Sequence, residues 1–185
     1  NMDKLRIATQ VSIGVADMHN VDKEGVPSIA HTDITPGQFI LIDGIYKLND
    51  FNRCRFLRWN SEEDQACRFH VGSNPGKNRS PEEYAYEDET EKVDIYSMGN
   101  LFYMLLTELW PFEELKDKKA QKKIMAGERP PMESNISDSE DPAVKAILKA
   151  IEMCWRQEVE ERATAREVNT FLKAEQQKLD PSWLE

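Results

Sequence analysis

Apolar residues recur every three or four positions at the start of the chain. Within residues 3–20 they are Leu5, Ala8, Val11, Val15 and Met18. Residues at this spacing fall on the same side of a helix, turn after turn. The pattern therefore predicts a first helix from Asp3 to about Asn20 with one buried face.

A later segment, from Val93 to Leu109, is apolar on nearly every side. A helix of this composition has to be surrounded by protein, so we expect it to form the axis of the core. Prolines recur through the rest of the chain, and each marks a predicted helix boundary because proline ends or restarts a helix. They divide it into three further predicted helices, near residues 114–126, 142–157 and 164–178.

Two short apolar runs, residues 39–42 and 46–48, are separated by Asp43-Gly44. An Asp-Gly pair between such runs predicts a β-hairpin, because glycine accepts the positive φ of a tight turn. Residues 51–79 show no sustained period and carry many charges. They predict a long irregular segment, which in a compact domain is usually functional or mobile.

Composition limits the class of protein. A chain of 185 residues with 39% hydrophobic and 31% charged residues is typical of one globular domain. Its formal net charge of −10 argues against general affinity for nucleic acid or anionic lipid. The longest strongly apolar stretch, residues 101–106, is far shorter than the roughly 20 residues of a membrane-spanning helix.

The three cysteines form no CxxC pair and have no histidine at metal-ligand spacing. The sequence therefore predicts neither a zinc site nor a disulfide framework. A reducing, intracellular and cytoplasmic location fits best, with any membrane anchor of the parent protein outside this segment.

Acidic side chains stand on both sides of the predicted hairpin. Asp33 precedes it and Asp50 follows it, so the hairpin should bring the two carboxylates to the same rim. Two aspartates at one rim suit phosphoryl transfer, because one can hold Mg²⁺ against phosphates while the other accepts the proton of an attacking hydroxyl. An aspartate beside a strand is most often a turn former, which is the alternative interpretation of each.

The order of these residues resembles eukaryotic protein kinases, whose catalytic loop reads HRDLKxxN and whose metal-binding motif reads DFG. Further landmarks follow in the family's order. Residues 79–82 resemble its APE motif, and residues 94–99 resemble the D-x-W/Y-S-x-G that opens its central helix. Residues 110–112 fall at its Pro-Phe, and Arg162 falls where an arginine pairs with the APE glutamate.

The resemblance implies the mainly α large lobe of a kinase over residues 1–178, with a small β-hairpin at the cleft and a C-terminal tail at 179–185. Residues 127–130 and 154–155 are most similar to the tyrosine-kinase-like and tyrosine kinase branches. The N-terminal β-rich lobe is absent, and the chain opens on Asn1. We therefore expect a piece of a longer protein that carries this lobe upstream, or a truncated relic.

The resemblance implies roles for three residues at the cleft. Asp33 would orient or deprotonate the substrate hydroxyl, and Asp50 would bind Mg²⁺ between the ATP phosphates. Gln38 stands at the position of the asparagine that ligates a second Mg²⁺ and keeps an amide oxygen on a longer stem. ATP and Mg²⁺ are thus the implied cofactors.

The resemblance also implies residues that support the site. Asp94 would accept backbone N–H groups of the catalytic loop, and His31 would pack beneath the metal-binding motif. Glu82 and Arg162 would form a partly buried ion pair, in which removal of one partner would strand a charge.

Besides Gln38, three positions depart from the family pattern. Thr32 replaces the arginine to which a phosphorylated activation segment is usually docked. Thr35 replaces the lysine of serine/threonine kinases, so transition-state stabilisation should fall unless a nearby cation compensates. Asn52 replaces the glycine of the metal-binding motif, a mild change because asparagine tolerates positive φ.

The leading hypothesis is a parent kinase that transfers the ATP γ-phosphate to a serine, threonine or tyrosine of a protein, with this segment inactive when isolated. The alternative is a pseudokinase, a scaffold that binds partners without phosphoryl transfer. A small-molecule phosphotransferase of similar fold is disfavoured, because it would not carry the motif at residues 79–82 with its Arg162 partner.

Overall fold

Seven α-helices and three two-stranded antiparallel pairs make up the part of the chain described by a computed structural model, residues 1–184. The helices are α1 (Met2–His19), α2 (Pro81–Ala85), α3 (Lys92–Thr107), α4 (Asp117–Met125), α5 (Ser134–Ser137), α6 (Pro142–Cys154) and α7 (Ala165–Leu179). The strands are β1 (Ile29–Ala30), β2 (Phe39–Ile42), β3 (Ile45–Leu48), β4 (Arg55–Phe56), β5 (Trp59–Asn60) and β6 (Gln65–Ala66). Short 3₁₀ helices occupy Pro36–Gln38, Phe51–Arg53, Val159–Glu161 and Pro181–Leu184.

The structure confirms the mainly helical fold with a small β-hairpin. The first and central predicted helices correspond to α1 and α3, and the three later ones to α4, α6 and α7. The segment 51–79 is less irregular than predicted, because it contains β4, β5 and β6. Two of these strands pair with each other, and β4 pairs with β1.

The core is built around α3, as its sequence predicted. Ile95, Met98 and Phe102 of α3 are fully buried, and they belong to one cluster with apolar residues of α1, α6 and α7. Gly99 allows a close approach between α3 and α6, because a Cβ atom there would lie 2.7 Å from the Cβ of Cys154. A contact this short leaves no space for any side chain.

The N-terminal ends of α6 and α7 are capped by the side chains of adjacent residues. The Asp141 carboxylate accepts the backbone N–H groups of Ala143 and Val144 at 2.9 and 3.1 Å. Thr164 accepts the N–H of Glu167 at 3.1 Å, and the Glu167 carboxylate accepts the N–H of Thr164 at 2.7 Å. These bonds satisfy donors that the first turn of a helix leaves without partners.

The β2–β3 hairpin brings together the two segments that flank it. Phe39 lies opposite Leu48, and the turn has φ of 51° at Asp43 and 79° at Gly44. The pairing continues past the strands, since the N–H of Asn49 donates to the carbonyl of Gln38 at 2.8 Å. The hairpin therefore fixes the loop before β2 beside the loop after β3.

Within residues 1–184, none of the helices combines the length and the apolar character that crossing a bilayer requires.

Candidate functional site

The loop that carries Asp33 is held in a strained conformation. Thr32 has φ of 62°, a region that β-branched residues rarely enter. Its N–H donates to Asp94 Oδ1 at 2.8 Å, and its hydroxyl donates to the carbonyl of Arg53 at 3.0 Å. Its carbonyl accepts a hydrogen bond from Arg79 at 2.7 Å. All its polar groups are thus engaged, which is how a protein retains local strain.

Asp94, in the first turn of α3, is the anchor of this loop. Its Oδ2 accepts the backbone N–H of His31 at 2.6 Å, and its Oδ1 accepts that of Thr32. His19 Nε2 lies 2.9 Å from Oδ2, and both side chains are buried. A carboxylate here is also favoured by the positive end of the helix dipole. Asp94 therefore fixes the backbone immediately before Asp33.

The Asp33 carboxylate is held by two donors and remains partly open. Arg79 Nη2 donates to Oδ1 at 3.0 Å, and Gln38 Nε2 donates to Oδ2 at 3.1 Å. The Asp33 side chain is 26% exposed, whereas the Arg79 side chain is 9% exposed. The carboxylate is thus oriented from the protein side and accessible from the other.

Asp33 lines a cavity of about 360 Å³. The other walls come from the loop after Asp33, the segment before α2 and the loop after α3; they include Thr35, Gly76, Arg79, Ser97, Trp110 and Glu113. Lys77 fastens two of these walls together, because its Nζ donates to the carbonyls of Phe112, Glu113 and Leu115 at 3.1, 3.1 and 2.7 Å. This volume is within the range of small ligand sites.

Asp50 lies on the neighbouring loop, exposed and with φ of 60°. His31 joins the loops of Asp33 and Asp50, since its Nε2 lies 3.0 Å from the carbonyl of Asn49. The His31 ring also packs edge-on against Phe51, with ring centroids 5.6 Å apart. The structure thus brings the two loops together at one rim.

The residues at this rim include oxygen ligands of the kind that Mg²⁺ accepts. Gln38 donates its side-chain amide nitrogen to Asp33, and its backbone carbonyl accepts the N–H of Asn49, next to Asp50. Carboxylate and amide oxygens are ligands that Mg²⁺ accepts, usually with phosphates and water completing its shell. In residues 1–184 no group of three or more His, Cys, Asp or Glu side chains could hold a metal unaided. Asp50 and Gln38 could thus contribute oxygen ligands to such an ion.

Glu82 and Arg162 form a two-point ion pair. Arg162 Nη1 and Nη2 lie 2.6 and 3.1 Å from the two carboxylate oxygens, and the side chains are 0% and 4% exposed for Arg162 and Glu82. Arg162 also donates to the carbonyl of Lys92 at 2.8 Å and lies over the ring of Tyr96. The pair joins α2 to α3 and to the loop before α7.

Two residues of the Asp33 network were not predicted as site residues. The contact of Arg79 with Asp33 was not expected, and neither was its contact at 3.3 Å with Glu83 Oε1. Burial raises the pKa of Glu83 to about 8. The hydrogen bonds that its carboxylate accepts from Ser80 act in the opposite direction and lower this pKa. The four-residue spacing of Arg79 and Glu83 on a helix start is a signal that could have indicated their pairing.

A larger cavity, of about 810 Å³, lies elsewhere and shares no lining residue with the Asp33 cavity. It is bounded by the end of α1, the β5–β6 pair and the starts of α3 and α7. Size alone therefore does not locate the site in this chain.

All three cysteines are free. Cys154 is completely buried and burial raises the pKa of its thiol. Partial burial raises the pKa of the Cys54 thiol to about 11, whereas Cys67, after β6, is exposed.

The chain is similar to known proteins over most of its length. The family model described as protein kinase domain matches residues 3–171. A Dictyostelium discoideum protein named "Probable serine/threonine-protein kinase" is 30% identical over 165 residues, which are 88% of this chain and 17% of that protein.

Two animal relatives match at lower identity. Human mitogen-activated protein kinase kinase kinase 7 is 25% identical over 167 residues, covering 86% of this chain and 24% of that protein. Mouse ankyrin repeat and protein kinase domain-containing protein 1 is 24% identical over 166 residues, which are 86% of this chain and 21% of that protein. The chain thus spans a quarter or less of the length of these three relatives.

Proposed function

Because this chain belongs to the protein kinase domain family, we propose that residues 1–178 form the large lobe of a kinase that phosphorylates a protein hydroxyl. Asp33 accepts the proton of that hydroxyl, and Asp50 with Gln38 holds Mg²⁺–ATP. When bound, ATP supplies the phosphoryl group and Mg²⁺ offsets the charge of its phosphates. Residues 179–185 are proposed as its C-terminal tail.

The observation that carries the proposal is the placement of Asp33, oriented by two donors at the wall of a cavity and still 26% exposed. An ionised carboxylate has about four acceptor positions, so two donors leave room for a substrate hydroxyl. A general base has to lie within hydrogen-bond reach of the proton that it takes. The cavity of about 360 Å³ is where the acceptor residue would enter.

The supporting residues act by fixing geometry before substrate arrives. Asp94 holds the backbone of His31 and Thr32, and His31 in turn contacts the loop of Asp50. A base held in place avoids the free energy of ordering it during the reaction. Asp94 and His31 are therefore proposed as positioning residues.

A serine or threonine hydroxyl is the proposed acceptor. The support is the printed name of the Dictyostelium relative, a serine/threonine-protein kinase. Tyrosine is the alternative, and assays with peptides that contain only one of the three hydroxyl residues would separate them.

Exposed apolar side chains on the hairpin support the presence of a partner lobe. Ile40, Leu41, Ile42 and Ile45 are each exposed, and so is Phe51 on the adjoining loop. A concentration of exposed apolar side chains in one short element often marks an interface. We assign it to an N-terminal kinase lobe of the parent protein, which would close over Asp50.

The cysteines support a reducing compartment. Stable disulfides are a feature of secreted proteins, and the three thiols of this chain are all free. An intracellular, cytoplasmic kinase is the proposal consistent with them.

The test is ³²P transfer from ATP by a protein extended upstream of Asn1. Asp33→Asn and Asp50→Asn should each lower the rate by about 10²-fold or more, the range of acid–base and metal positioning effects. Asp43→Asn is the matched control, because Asp43 lies in the hairpin turn and is exposed. Full activity in both site variants would refute the assignment.

A pseudokinase is the second candidate, and the occupied Asp33 carboxylate favours it. Both oxygens already accept hydrogen bonds, from Arg79 and Gln38. The same extended protein decides between the two: no phosphoryl transfer and no Mg²⁺–ATP binding in calorimetry would support the scaffold and exclude the kinase.

A further inference from the structure

The cavity beside Asp33 needs a positive charge if phosphate is transferred there, because negative charge develops on the transferred group. Thr35, which lines this cavity, is neutral. Two cations, Lys77 and Arg79, also line it. One of them has to supply the charge, and their contacts show which.

Lys77 is already committed to the backbone. Its Nζ donates to three carbonyls of residues 112–115 at 2.7–3.1 Å, which uses all three of its N–H donors. Its role is to fasten the walls of the cavity, and it has no donor left for Asp33 or a phosphate.

Arg79 is held on every side of its guanidinium. Nε donates to the carbonyl of Pro75 at 3.3 Å, and Nη1 donates to the carbonyl of Thr32 at 2.7 Å and lies 3.3 Å from Glu83 Oε1. Nη2 donates to Asp33 Oδ1 at 3.0 Å. Because the group is planar and its partners lie in different segments, its orientation is fixed.

The charge of Arg79 is directed mainly to Asp33. Burial raises the pKa of Glu83 to about 8, which favours its protonated form near neutral pH and weakens its competition for the guanidinium charge. The two remaining nitrogen contacts are with neutral backbone carbonyls. Asp33 is the more exposed of the two carboxylates that Arg79 contacts, with 26% of its side chain exposed against 1% for Glu83.

We propose that Arg79 is a positioning residue for phosphoryl transfer: its guanidinium orients the Asp33 carboxylate and supplies the positive charge of the substrate cavity, which Thr35 does not. This inference rests on the proposed kinase function. In this proposal the contact between Arg79 and Asp33 assists the reaction. The opposite interpretation is that Arg79 is a plug, a side chain that blocks Asp33.

Two features distinguish a positioning residue from a plug. The Asp33 side chain keeps 26% of its surface open while Arg79 lies behind it, 9% exposed. A plug has to leave when substrate binds, but withdrawal of the Arg79 side chain would break three further contacts, with Pro75, Thr32 and Glu83. Arg79 is thus part of the cavity wall.

The experiment uses the kinase extended upstream of Asn1 and measures kcat and KM for a peptide acceptor. Arg79→Gln should lower kcat by about tenfold to hundredfold and change KM for the peptide by less than about threefold. Thr35→Lys in that background should recover at least about fivefold of kcat, because residue 35 lines the same cavity. A rise in kcat for Arg79→Gln would identify a plug and overturn the inference.

Thermal unfolding of each variant separates charge from folding. Recovery of kcat by Thr35→Lys without recovery of the unfolding temperature supports the supply of charge by Arg79. Recovery of both together, or of neither, means that Arg79 acts only in the scaffold and overturns the inference.

A readout without nucleotide separates this inference from the proposed function. Gln38 donates its side-chain amide to Asp33, so Arg79→Gln should shift the ¹⁵N–¹H signal of that amide. Arg166→Gln, which changes an arginine paired with Asp17 and Glu24, is the control and should leave it unchanged. An unchanged Gln38 signal in Arg79→Gln refutes positioning whatever the activity. Two results together would refute the kinase assignment and still support positioning by Arg79. They are a shifted Gln38 signal in Arg79→Gln and no phosphate transfer by the wild-type protein.

Discussion

Glu82 and Arg162, 80 positions apart in sequence, meet through two hydrogen bonds in the interior of the protein. Each charge has lost its water, so the pair is stable only while both partners are present. The contact joins α2, at the end of the segment that lines the Asp33 cavity, to the framework around α3. Its loss should therefore affect the whole fold.

We expect Glu82→Ala to lower the free energy of unfolding by about 3–5 kcal/mol, because Arg162 would become an unpaired buried charge. Urea denaturation followed by circular dichroism measures this. Arg156→Ala is the control, since its partner Glu152 lies at the surface and such pairs contribute less than about 1 kcal/mol. Equal losses for the two variants would show that the burial of the Glu82 pair is unimportant.

A methyl group at position 99 should be poorly tolerated. The Cβ of Gly99→Ala would lie 2.7 Å from Cys154 Cβ and 2.8 Å from the Trp155 ring, so α3 and α6 would have to separate. We expect a loss of about 1–3 kcal/mol in unfolding free energy.

Gly14→Ala, in α1, is the matched control for Gly99→Ala. Its new Cβ would meet its nearest neighbour, Leu48, at an ordinary 3.7 Å. Alanine also has the higher helix propensity, so stability should stay constant or rise by up to about 1 kcal/mol. A destabilised Gly14→Ala with an unaffected Gly99→Ala would contradict the packing described for both helices.

Asp94→Asn should loosen the loop before Asp33. The substitution removes a charge that accepts two backbone N–H groups, and we expect a loss of about 2–4 kcal/mol in unfolding free energy. Hydrogen exchange of the amides of His31 and Thr32 gives a local measurement, and both should exchange faster. Protection equal to the wild type would show that Asp94 does not hold them.

Stability should decrease as pH rises from about 5 to about 8. Burial raises the pKa of Glu83 to about 8 in the folded state, from 4.5 in the unfolded chain, so only the folded state retains the proton in this range. The contribution to stability is complete below about pH 4.5 and is lost as the pH approaches 8. Burial also raises the pKa of Glu89, which acts in the same direction.

Urea midpoints between pH 5 and about pH 8 test this, with Glu83→Gln expected to reduce the slope because glutamine does not titrate. Glu152→Gln, at an exposed pair, should retain the wild-type slope. Identical slopes in wild type and Glu83→Gln would exclude Glu83 as the group responsible.

The long helices could be predicted because their signals are local. The spacing in α1 and the all-round apolar character of α3 are each contained within one segment, and both helices lie where the sequence indicated. The two-residue strands have no such signal. Ile29 pairs with Phe56, so β1 and β4 exist only because the fold brings distant residues together.

The same physical limit applies to the candidate site. The order of short motifs indicated Asp33 and Asp50, and the hairpin between them is local enough to predict. The contact between Asp33 and Arg79 spans 46 positions, and no pattern of spacing reports which distant charges will meet. Only the folded chain brings Arg79 to Asp33.

The unequal burial of the three cysteines has a practical consequence. Cys154 is enclosed and the Cys54 thiol is held protonated at neutral pH, so maleimide reagents should modify Cys67 first. Cys67 directly follows β6, in the segment between the Asp50 loop and α2. A fluorophore could thus be attached there without mutagenesis, and its emission would report movements of that segment.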